Sequence, residues 1–112
     1  MIGEVWRLYR GEQLIAELVV TDHDFPWLNA RLEARPGFEA LRPLFDEEVR
    51  RAEAVEDDMD AWEAAYNRIR EAVSLAAPDG RRVPEFLLHI EGEEAWWRWS
   101  DEPFDDDDAG EA

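Results

Sequence analysis

Residues 38–77 read FEALRPLFDEEVRRAEAVEDDMDAWEAAYNRIREAVSLAA, with no glycine and a single proline, Pro43, close to the start. Apolar side chains recur at Phe38, Leu41, Phe45, Val49 and Ala52, then at Met59, Trp62, Tyr66, Ile69 and Val73. Spacings of three and four residues gather these positions into one stripe along an α-helix. Val55 keeps the phase across the gap, so one continuous helix is sterically open. At about 1.5 Å per residue it would run for about 60 Å, whereas strands rising about 3.3 Å per residue reach far less over the short runs available here. A break near Glu56-Asp57-Asp58 is therefore expected, with Asp57 or Asp58 capping a second helix.

On each side of this middle lies a strand pair folded about a glycine. The first runs from about Glu4 to Tyr9 and from Gln13 to Thr21, around Arg10-Gly11-Glu12. Val5, Trp6, Leu8 and Tyr9, then Leu14, Ile15, Leu18, Val19 and Val20, are β-formers or alternate in polarity. The second runs from Val83 to Ile90 and from Glu94 to Ser100, around Glu91-Gly92-Glu93. Glycine supplies the backbone freedom that a tight hairpin requires, and Pro84 sits near a strand start, where its missing N–H is tolerated.

Between the first pair and the helices, Asp22-His23-Asp24-Phe25-Pro26-Trp27 reads as a loop, because Pro26 excludes helical geometry at Phe25. Leu28 to Arg35 reads as a short helical turn or an irregular stretch, ended by Pro36-Gly37. Pro78-Asp79-Gly80 stops the second helix. The expected fold is α+β in the order ββ-α(α)-ββ: a four-stranded antiparallel sheet with one or two helices packed on one face. It occupies residues 1–102 as a single domain, and residues 103–112 are expected to form a disordered acidic tail, since Asp105 to Asp108 repel one another.

The charge narrows the choice of partners. The chain has 29 acids against 12 bases, a formal net charge of −17, and every base is arginine. The seven acids of residues 101–112 account for part of this and leave −10 on the body. A body this negative repels phosphate backbones and anionic membranes, so neither nucleic acid nor a membrane is expected as a direct partner. The absence of lysine excludes Schiff-base and phosphate-loop lysines. The absence of cysteine excludes thiol nucleophiles, disulfides and cysteine-based zinc sites. No apolar run reaches 18 residues and no secretory leader opens the sequence, so the cytoplasm is the expected compartment.

The inventory offers little for catalysis. Ser74 lies in a helical pattern without a glycine-flanked elbow, and no phosphate-cradling glycine loop is present. No catalytic residue and no cofactor is therefore assigned. Asp22, His23 and Asp24, with His89 on a strand near Glu91, form the one set that could ligate a divalent metal or a small ligand, although neighbours on an extended segment point in alternating directions. Trp96, Trp97 and Trp99 place indoles on both faces of the last strand, and one face would leave an aromatic platform outward. The acids Glu53, Glu56, Asp57, Asp58, Asp60 and Glu63 cluster around the helix break.

The expected function is that of a non-enzymatic acidic interaction module for a basic protein partner. Asp57, Asp58, Asp60 and Glu63 would supply charge, and Trp96, Trp97 and Trp99 the anchors. The alternatives are a metal- or ligand-binding domain built on Asp22, His23, Asp24 and His89, or a homodimer that covers its aromatic face.

Overall fold

The computed structural model describes residues 2–101 and is α+β. Among these residues the order is β1 (Val5–Arg10), β2 (Gln13–Asp24), β3 (Trp27–Ala34), α1 (Arg42–Glu53), α2 (Met59–Ala72), β4 (Ser74–Ala76), β5 (Glu85–Glu91) and β6 (Glu94–Ser100). The strands form one sheet in the order β4-β1-β2-β3-β6-β5, antiparallel throughout. The expected acidic tail at 103–112 lies outside the described residues.

Both expected hairpins are present, turning at Gly11 and Gly92 with positive φ of 61° and 63°. The helical middle is divided where the length argument placed the break. Asp58 caps α2, its Oδ1 accepting the Ala61 N–H at 3.0 Å. Pro43 falls in the first turn of α1, where a missing N–H is harmless.

Three expectations are corrected, and two of them raise the strand count from four to six. Residues 27–34 are a strand, not a helical turn. Leu28, Ala30 and Leu32 alternate with Asn29, Arg31 and Glu33, a two-residue period that matches the slot between β2 and β6. Leu28 and Leu32 are also four apart, so so short a run fits a helix as readily as a strand. The second helix ends at Ala72, because Val73 turns extended at φ −136°, ψ 160° and Ser74–Ala76 pair with Arg7–Tyr9 of β1. Likewise Asp22-His23-Asp24 is the end of β2, facing Trp27–Asn29 of β3, and the turn is confined to Phe25–Pro26.

The register sorts the side chains. Leu8 faces Ala16, Trp6 faces Leu18, Leu18 faces Leu32, Val20 faces Ala30, Ala30 faces Ala95, and Trp97 lies between Leu28 and Leu88. This face forms one buried cluster with Phe38, with Phe45 of α1 and with Tyr66 and Ile69 of α2. Trp6 packs edge-on against Trp97 at 5.5 Å. Neither indole N–H has a hydrogen-bond partner among the described residues, so packing area holds these rings in place. The opposite face is polar at β1–β3, where Glu17 pairs with both Arg7 and Arg35. The Arg35 hydrogen bond holds the Glu17 carboxyl below the usual carboxylate range.

Each edge of the sheet is partly occupied. Beside β4, the chain returns so that Val83 N–H donates to Leu75 O (2.9 Å) and Ala77 N–H to Arg81 O (2.9 Å). Beside β5, the Tyr66 hydroxyl accepts the Leu88 N–H at 3.0 Å and donates to Phe86 O. Burial pushes the Tyr66 phenol far above its ordinary value, which keeps the donor proton in place.

Tyr66→Phe leaves a buried N–H and C=O of β5 unpartnered. Urea denaturation should report a loss of about 1–3 kcal/mol, together with faster hydrogen exchange at the Leu88 amide.

Candidate functional site

The apolar stripe of α1 contains one carboxylate. Glu48 lies three residues after Phe45 and four before Ala52, hence on the inward face, and it is 0% exposed. Its Oε2 accepts the Trp62 indole N–H from α2 at 2.7 Å. Its Oε1 meets His89 Nδ1 of β5 at 2.8 Å. An ionised carboxylate can only accept, so this contact matches the tautomer that carries its proton on Nδ1. His89 Nε2 makes no hydrogen bond with any described residue.

Around this imidazole stand two indoles. Trp27 stacks on His89 at 5.7 Å, and Trp96, its cross-strand neighbour, lies at 5.4 Å. His89 is 8% exposed, and its ring lines a groove of about 200 Å³ together with Trp96, Glu91, Glu53, Val49 and Ala52. The groove thus has an aromatic wall, an imidazole and two carboxylates. Glu53 and Glu91 are exposed and form no ion pair with any described residue.

Glu53 also opens the acidic junction between the helices. Glu56, Asp57, Asp58, Asp60 and Glu63 are all exposed, and no base occurs between Ala52 and Asn67. None of these acids is ion-paired with a described residue. Three arginines of the two helices are engaged elsewhere: Arg50 and Arg51 hold Glu47, and Arg70 holds Glu85. Met59, 51% exposed, sits among the acids.

The structure separates the Asp22-His23-Asp24 set from His89. His23 pairs with Leu28 and so belongs to the face of Trp97, whereas His89 shares its face with Trp96 and Asn29. Two strands, β3 and β6, lie between β2 and β5, a separation of about 14 Å. Among the described residues, no group of three or more histidine and carboxylate side chains is placed to hold a metal ion.

The tryptophans divide by parity. Trp97 is 0% exposed and cannot meet a partner in this fold, which corrects its assignment as an anchor. Trp99 packs half-buried against Trp6 and the core. Trp96 alone of the three stands on the opposite face, half-buried beside His89. Among the described residues the exposed aromatic is instead Phe25, 95% exposed at the β2–β3 turn.

Sequence reasoning missed Glu48, Trp62 and Trp27 as members of one cluster. A signal existed for the first, since a carboxylate within an apolar helical stripe must find buried donors. No family model matches the chain, and it matches no curated protein and no solved structure.

Glu48→Ala removes the acceptor from a buried imidazole and a half-buried indole at once. Its stability in urea should fall by about 3 kcal/mol or more, while Glu48→Gln, which keeps one acceptor oxygen, should lose less.

Proposed function

We propose that this protein is a non-enzymatic interaction module that binds a basic protein partner through the acidic junction between α1 and α2. One observation carries the reading: six acids from Glu53 to Glu63 are exposed together and none is neutralised by an arginine of the described fold. Unpaired like charges on one surface repel one another, and a cationic partner relieves that repulsion as it docks. Met59 offers an adaptable apolar contact in the middle of the charge. Its flexible thioether suits a surface that closes over differing side chains.

A lysine homopolymer of about twenty residues serves as a probe of this reading, with binding followed by calorimetry at rising salt. Replacing Glu56, Asp57, Asp60 and Glu63 by their amides should weaken binding about tenfold or more. Asp58 is left intact because it caps α2. The same neutralisation of Asp105, Asp106, Asp107 and Asp108 should change it by less than about twofold. Equal weakening by the two variants would reduce the junction to a share of net charge and overturn the reading, as would binding indifferent to salt.

A further inference from the structure

We infer that the groove beside His89 seats one arginine side chain of the basic partner, an inference that rests on the acidic-module reading and specifies what it recognises. Three features converge there. The Trp96 indole forms a half-buried wall, and a guanidinium stacks on such a ring more readily than an ammonium does. The carboxylates of Glu53 and Glu91 rim the same groove without a cationic partner among the described residues. Planar, forked N–H donors match such carboxylates, and two of them can engage one guanidinium at once.

The third feature is the imidazole. Glu48 engages Nδ1, which leaves Nε2 as the ring nitrogen without a partner among the described residues, and in the Nδ1–H tautomer that nitrogen is an acceptor. That nitrogen has no hydrogen bond to a described residue, and the ring lines the groove. An arginine N–H satisfies it; a methyl or a carboxylate does not. The volume of about 200 Å³ corresponds to about six or seven waters at their liquid density, which admits a planar guanidinium but not a large folded element.

Glu53 joins this groove to the acidic junction, since it belongs to both. The junction attracts positive charge in general, and the groove distinguishes arginine from lysine. Glu48 and Trp62 act at one remove: they hold the imidazole in its orientation and tautomer, and they do not touch the guest.

The test uses two peptides of twelve residues, identical except that four arginines in one are lysines in the other. Calorimetry gives affinities, and the Trp96 indole N–H resonance reports occupancy. The arginine peptide should bind about fivefold more tightly and shift the Trp96 resonance. Glu91→Gln, an exposed and conservative change, should remove most of that preference, and Trp96→Leu should remove it too, with the lysine peptide nearly unaffected by either. Amide replacement at Glu56, Asp57 and Asp60 should weaken both peptides alike and leave the preference intact. Equal affinities for the two peptides, or a preference that survives both groove variants, would overturn the arginine seat while leaving the acidic-module reading standing. Failure of both peptides to bind at low salt would overturn both.

Discussion

The fold turns on one carboxylate that is wholly shut off from water. Glu48 sits on α1 and receives an indole N–H from α2 and an imidazole from β5. A charge in that position is tolerated only while both partners are in place. Its hydrogen bonds therefore impose a relation among three elements that apolar contact alone would leave loose. Phe45 and Ile69 could slide by a fraction of a turn and stay buried, but the Glu48 contacts could not be kept after such a slide. Tyr66 reinforces the same arrangement one turn further along α2, where its hydroxyl meets the outer edge of β5.

Charge is distributed with the same economy. Several arginines of the sheet and of the helix flanks are paired with nearby acids: Arg7 and Arg35 with Glu17, Arg31 with Glu33, Arg42 with Glu39. The Glu39 carboxyl is held below its ordinary range by its hydrogen bonds to Arg42. With acids outnumbering bases by 17, local pairing of this kind must leave a remainder somewhere. The remainder includes the helix junction, where Asp58 at least serves the backbone as a cap. The cluster of Trp27, His89 and Trp96 lies on the sheet face opposite the main core, so the strand that completes the core on one side presents aromatic and imidazole groups on the other.

The hairpins were legible because Gly11 and Gly92 punctuate runs with clear β character, and the helix break because a forty-residue rod would far outrun the strands it has to cover. The strand Trp27–Ala34 was not legible for a physical reason. Its apolar residues satisfy both a two-residue and a four-residue spacing, and the choice between them is made by hydrogen bonds to β2 and β6, far away in sequence. The short strand Ser74–Ala76 suffers the same ambiguity, since Val73, Ser74 and Leu75 continue the helical phase until β1 captures them. The candidate site was legible only in fragments. His89 and Trp96 could be set on one face by alternation once the second hairpin was known. Glu48 could be recognised as anomalous in its stripe. That Trp27 joins them required a strand that local pattern did not reveal, and this same strand is what parts His23 from His89.

One further property follows from the way the sheet ends. A strand with free N–H and C=O groups along its flank invites another strand to add to it, and growth by repeated addition leads to fibres or swapped dimers. Here a phenolic oxygen stands in for the next strand on one flank, and a doubled-back segment fills the other. Part of each flank is thereby withdrawn from such templating, so that a copy approaching at high concentration meets an interrupted ladder rather than a continuous one.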